Sequence, residues 1–73
     1  GRFGLALADI RRTLALNPRH FGALSGLGII MDELDRPALA LRAWRAVERL
    51  SPNHEGLDAR LRRLERKVEG TAL

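Results

Sequence analysis

Apolar residues recur along this chain at steps of three and four, the period of a helix that turns one face to a core. Between residues 4 and 16, Leu5, Ala6, Ile10, Thr13 and Leu14 form one such face, with Asp9, Arg11 and Arg12 mostly opposite. A second stripe of Phe21, Leu24, Leu27, Ile30, Met31 and Leu34 predicts a helix over residues 19–34. A third, built on Leu39, Ala40, Ala43, Trp44, Val47 and Leu50, predicts one over 37–50 with Arg42, Arg45, Glu48 and Arg49 outward. The last stripe is narrower: Leu57, Leu61, Leu64 and Val68, over 53–69. The fold class expected is all-α, with four helices.

Proline punctuates the pattern. Asn17-Pro18 and Ser51-Pro52 each close one helix, because proline disfavours helical geometry in the preceding residue, and each proline is expected to open the next helix where its missing N–H costs nothing. Pro37 is placed to start the third helix in the same way. Ser51 is a good cap for the fourth, and Gly70 is expected to end it. Gly22, Gly26 and Gly28 interrupt the second helix, where each costs about 1 kcal/mol relative to alanine. Close approach of a neighbouring helix is the compensation expected. A phosphate loop is a weaker reading, because Gly26-Leu27-Gly28 has no preceding strand, no third spaced glycine and no following Lys-Ser/Thr.

The segment LNPRH at 16–20 returns as LSPNH at 50–54, so Pro18 and Pro52 lie 34 residues apart. The same offset relates Leu5 to Leu39, Ala6 to Ala40, Arg11 to Arg45, His20 to His54, Gly22 to Gly56 and Leu27 to Leu61. A period of 34 residues is that of a helix-turn-helix unit stacked on copies of itself. With these residues the chain resembles the tetratricopeptide repeat (TPR) family. In the unit from Phe21 to His54, Leu24 falls at the family's large first-helix position, Leu27-Gly28 at its Leu-Gly pair and Met31 at its usual tyrosine. Ala40, Trp44, Val47 and Pro52 fall at its second-helix Ala, Phe, Ala and closing Pro. Asp35 departs from the turn glycine, although aspartate tolerates the left-handed conformation better than most residues.

The resemblance implies a TPR-like α-solenoid of antiparallel helix pairs and a single domain over residues 1–73. Residues 4–16 would be the second helix of a truncated repeat, 19–50 one full repeat and 53–69 a capping helix. The cap follows from Asp58, Arg62 and Glu65, which stand where Leu24, Gly28 and Met31 stood, so that one face of the last helix meets water. The resemblance also implies a non-catalytic scaffold that holds a protein or peptide in a concave groove lined by first helices. Mapped here, that groove presents Gly22, Ser25, Gly26, Ile29, Asp32 and Glu33. Ser25, Ile29, Asp32 and Glu33 are its candidate partner contacts, and an apolar or basic segment is the expected ligand. The lysine, asparagine and arginine with which some members grip a C-terminal carboxylate are not at these positions. A likeness to terminal repeats of small bacterial members, some of them exported, places the chain in cytoplasm or periplasm and leans to the latter.

Charge changes this picture little. Twelve arginines and Lys67 against nine acids give a formal +4, but the bases are interleaved with acids, as in Arg62, Arg63, Glu65, Arg66, Lys67 and Glu69. A nucleic-acid binder using Arg60, Arg62, Arg63, Arg66 and Lys67 is therefore a lesser alternative, without stacking aromatics beside the cations. No run approaches the roughly 20 apolar residues of a membrane span. There is no cysteine, hence no disulfide or thiolate metal site. No signal peptide is read in these residues, which begin at Gly1 rather than Met, and the natural start is expected upstream.

Candidate chemistry is sparse. No serine, histidine and acid fall into a catalytic signature, no cofactor motif is present, and an enzyme is not expected. His20 and His54 occupy equivalent places in successive units, too far apart to share an ion, and are read as solvent-exposed helix starts rather than metal ligands. Asp32, Glu33 and Asp35 cluster near a helix end, as a solvated turn or as a contact for a cation or basic peptide. Trp44 is read either as a core residue whose indole N–H reaches an acceptor at the edge or as a binding anchor. Leu5, Ile10 and Leu14 would be left uncovered by a missing first helix, which makes them candidates for self-association in a homodimer.

Overall fold

The computed structural model describes residues 3–72. It contains four helices: α1 (Gly4–Leu16), α2 (Phe21–Glu33), α3 (Pro37–Leu50) and α4 (Leu57–Ala72), and no strand among the described residues. α1 packs on α2, α2 on α3, and α3 on α4. Short connections between neighbours of this kind make successive helices antiparallel. The all-α paired-helix architecture expected from the periodicity is the one observed.

Each corner has its own chemistry. After α1, Asn17 accepts the Arg19 backbone N–H through Oδ1 at 3.2 Å, and the His20 N–H reaches the Asn17 carbonyl at 3.1 Å. Pro18 therefore sits in the turn, not in the first turn of α2. The N-cap is His20, whose Nδ1 accepts the Ala23 N–H at 3.0 Å, and α2 starts two residues later than expected. Between α2 and α3, Asp35 adopts φ 55°, while the Arg36 N–H bonds Met31 O and the Asp35 N–H bonds Asp32 O. This is the paired hydrogen-bond pattern of a Schellman turn, with aspartate in the place usually held by glycine. Pro37 then occupies the start of α3, as expected.

The α3–α4 corner begins as the first one did, with His54 N–H on Ser51 O at 3.1 Å. It then adds a turn ending at Gly56, whose φ of 78° suits a residue without Cβ. Two expectations are corrected here. Ser51 ends α3 and does not cap α4, and α4 starts at Leu57 and not at 53. Nor does Gly70 end α4, which continues to Ala72.

The core is one cluster shared by three helices. Leu24, Ile30 and Met31 of α2 meet Ala40, Trp44 and Val47 of α3, and Leu57, Leu61 and Leu64 of α4 close it from the far side. Ala40 and Val47 are fully buried. α1 contributes no fully buried residue; it lays Leu7, Ile10 and Leu14 on the cluster, and its N-cap residue Phe3 joins them. Its inner stripe is thus 3, 7, 10, 14, rotated from the one built on Leu5 and Ala6, and both of those point to solvent.

The glycines of α2 show what the close approaches require. A Cβ on Gly28 would lie 2.6 Å from Trp44 Nε1 and 2.9 Å from Cδ2, so only glycine lets the indole come this close to α2. At Gly26 the neighbour is Ile10 of α1, its Cδ1 3.3 Å from such a Cβ. Gly26 and Gly28 are thus where α1 and α3 approach the two sides of α2.

Candidate partner-binding surfaces

Trp44 organises the most polar contact inside the fold. It is 4% exposed, and its Nε1 donates to Asp32 Oδ2 at 3.2 Å. Arg60 of α4 donates to the same carboxylate oxygen at 2.9 Å and lies over the indole with its guanidinium carbon 4.4 Å from the ring centroid. One carboxylate therefore receives two donors, and one indole is in close contact with both a glycine of α2 and a cation of α4. The edge acceptor anticipated for the indole is Asp32.

This contact also shows the register of the stack. Gly26 faces Ile10 between α2 and α1, and 34 residues on, Arg60 faces Trp44 between α4 and α3. Arg60 is the counterpart of Gly26, and Trp44 of Ile10, so α4 meets α3 as α2 meets α1. The sequence offset and the packing agree at side-chain level.

The four candidate groove residues on α2 are not equivalent. Ile29 is 51% exposed and Glu33 is exposed beside it. The Ser25 hydroxyl is enclosed without a hydrogen-bond partner, and Asp32 is committed to Trp44 and Arg60. Gly26, also mapped to the groove, lies under Ile10. The open face of α2 therefore has an apolar centre at Ile29 and a single available acid at Glu33. Phe21 stands at its start, 40% exposed, with its ring edge-on to His54 at 5.4 Å.

A second surface was not anticipated. α1 and α3 stand apart on the other side of α2, leaving a cleft of about 610 Å³ floored by Leu24, Leu27 and Met31. Leu27 and Ile29 are two residues apart and so point about 200° apart around the helix. Arg11 of α1 and Arg42, Arg45 and Arg49 of α3 edge this cleft. These arginines were read as solvated outer faces; the repeated pair Arg11 and Arg45 was the signal that they recur in one place.

The remaining candidates fall as follows. Leu5 is 85% exposed, whereas Ile10 and Leu14 pack on the core, and the exposed leucine that accompanies Leu5 on α1 is Leu16, also at 85%. Of the five basic residues on α4, Arg60 pairs with Asp32, Arg62 with Asp58 at 2.9 Å and Lys67 with Asp35 at 3.8 Å. Asp35 and Asp32 of the acidic cluster are thus both engaged from α4. His20 serves as a cap and His54 as an aromatic partner. Among the described residues, no group of three or more histidines and acids is placed to hold a metal ion, and no helix is long and apolar enough to cross a membrane.

Comparison with known proteins points the same way. Over 70 residues, 96% of its length, the chain is 31% identical to a TPR repeat-containing protein of Rhizobium etli. It spans about a third of that relative, 34% of its length. Neither a protein-family model nor a solved structure matches the chain. The relative covers nearly every residue of the four helices, and the 34-residue register that was read from two proline corners recurs in the packing of Ile10 and Trp44. Along nearly its whole length the chain is similar to a tetratricopeptide repeat protein, and its four packed helices fit a unit of that kind.

Proposed function

We propose that this chain is a non-catalytic protein-interaction module of a helical-repeat scaffold, and that a partner segment rests on the open face of α2. The observation that carries this reading is Ile29, an isoleucine half exposed in the middle of a helix whose other large apolar residues mostly face the core. Large apolar side chains at the centre of a contact, excluded from water by the partner, supply most of the energy of such interfaces. Phe21 extends the apolar strip and Glu33 gives it one negative edge, so an apolar segment with a basic residue fits best. Asp32 acts from beneath by fixing α4 beside the strip, and Ser25 contributes shape. In this reading α4 caps the stack. Asp58 and Arg62 pair with each other in solvent at positions where α2 carries Leu24 and Gly28.

A photo-crosslinking residue at position 29 of the parent protein tests this directly. Crosslinks to a partner protein that are abolished by Glu33→Lys and not formed from position 62 are the expected result. Equal labelling from positions 29 and 62, or none from 29, would discard the face.

A second reading rests on Leu5 and Leu16, both 85% exposed on the outer side of α1. Two exposed leucines about three turns apart on one helix favour association with a second copy. Sedimentation equilibrium of the chain and of the Leu5→Glu, Leu16→Glu variant decides it: a dimer dissociated by the two substitutions supports the reading, and a monomer at high concentration removes it.

A further inference from the structure

The cleft between α1 and α3 lies on the side of α2 away from Ile29, and the partner face proposed above makes no use of it. Its floor is Leu24, Leu27 and Met31; Ile10 and Leu14 form one wall and Leu39, 46% exposed, stands on the other. A smaller hollow of about 270 Å³ shares Leu24, Ala46 and Arg49 with it and adds Arg19. The two together make an apolar trough with five arginines along its edges, and no carboxylate lines either part. Arg45 is paired with Glu65 at 3.3 Å. Arg11, Arg19, Arg42 and Arg49 enter no ion pair among the described residues.

This arrangement favours a particular chemistry. Like charges gathered around a low-dielectric trough raise its positive potential, which attracts acidic ligands and repels basic ones. Guanidinium groups accept carboxylates bidentately, and their aliphatic stems extend the apolar walls. A ligand that answers both features carries aliphatic side chains on one side and carboxylates flanking them. Nucleic acid answers only the charge, because no aromatic residue lines the trough to stack a base. A second copy of this chain answers it poorly, since Asp32 and Asp35 of its acidic stretch are already held by Arg60 and Lys67.

We propose that this cleft docks an acidic, apolar segment of a partner protein, with leucine-sized side chains on the Leu24, Leu27 and Met31 floor and carboxylates on Arg11, Arg42 and Arg49. The site is independent of the Ile29 face, so the failure of either leaves the other standing. Because Arg45 and Arg11 are counterparts in the 34-residue register, an array of such units would repeat the same basic edge along this side.

The test is a selection from a displayed library of random peptides of roughly 16 residues on the immobilised chain, long enough to span about four helical turns. Selected peptides rich in Asp, Glu and large aliphatic residues are expected, and the affinity of a synthetic copy, read by fluorescence anisotropy, is expected to fall about tenfold or more with Arg42→Glu, Arg49→Glu, as removal of complementary charge predicts. Arg42→Gln, Arg49→Gln is expected to fall by less, and Arg66→Glu, a charge reversal at an exposed arginine of α4 that lines neither hollow, to change nothing. Circular dichroism of each variant separates lost binding from lost folding, and all these side chains are exposed. No enriched peptide, acidic peptides indifferent to both arginine variants, or only neutral or basic peptides when the selection is repeated on a chain whose Ile29 face is blocked by Ile29→Asp, Glu33→Lys would overturn the proposal. So would binding of the acidic peptide that oligothymidylate or phosphatidylserine vesicles displace at lower concentration than a second acidic peptide does.

Discussion

Replacing Gly28 by alanine probes the contact on which the α2–α3 pairing depends, and general propensity predicts the opposite sign from the structure. Inside an exposed helix the change would stabilise by about 1 kcal/mol. Gly70 supplies that reference, since a Cβ there meets nothing within 4 Å. At Gly28 the new methyl would stand 2.6 Å from Trp44 Nε1 and 2.9 Å from Cδ2, well inside the roughly 3.5 Å or more of ordinary carbon contact. The indole has no easy retreat. It is 4% exposed, tied to Asp32 and covered by Arg60. Forcing it aside costs about 1–3 kcal/mol of overpacking strain, and loosening the Trp44–Asp32 bond adds about 0.5–1.5 kcal/mol. After subtracting the propensity gain, a net loss of about 0.5–3.5 kcal/mol remains. For a domain of this size each kcal/mol lowers Tm by about 4–8 °C, so a fall of at least about 2 °C, and about 10 °C at the middle of the range, is expected. Thermal unfolding of the wild type, Gly28→Ala and Gly70→Ala, followed by circular dichroism and by Trp44 fluorescence, measures it. A Gly28→Ala chain as stable as the wild type, with Gly70→Ala unchanged or more stable, would refute the close approach of Trp44 to α2.

Two further substitutions address the remaining joints. Asp32→Ala and Arg60→Ala are expected to be coupled by about 1 kcal/mol in a double-mutant cycle of urea unfolding, because the pair is partly shielded and shares the indole; additive effects would mean that α4 is not held through Asp32. Asp35→Gly is expected to stabilise by about 0.5–1 kcal/mol, since glycine adopts φ 55° without a Cβ penalty. The ion pair lost to Lys67, at 3.8 Å between exposed side chains, offsets little of this gain, and a less stable Asp35→Gly chain would count against the Schellman turn.

What the sequence disclosed follows from how local each signal is. Helix identity is written in residues three and four apart, and the stack in a pair of corners, so both were legible. The starts of α2 and α4 were not, because Pro18 and Pro52 mark only the entry to each corner. The chain runs on to a histidine cap at His20 and to an added turn at Gly56 before the next helix begins. The phase of α1 was misjudged because two leucine stripes compete there. Burial of Phe3 and Leu7, not apolarity, separates the inner one from Leu5 and Leu16. Asp32 joins Arg60 across 28 residues, a pairing hidden among interleaved charges although the 34-residue offset from Gly26 points to it. The arginine-edged cleft escaped because it belongs to two helices that do not touch, and a residue that faces empty space between helices has the same sequence signature as one that faces bulk water.

The account rests on α2 being held between α1 and α3 in one repeating register. Nuclear Overhauser spectroscopy of the chain reads this most directly, through the Ile10 δ-methyl and the Trp44 indole. Cross-peaks from Ile10 to the Gly26 α-protons and from Trp44 to those of Gly28 are predicted, since both side chains lie where a Cβ on each glycine would be. Resolved Ile10 and Trp44 signals with neither cross-peak, or with both side chains reporting on the same glycine, would contradict the stacked arrangement.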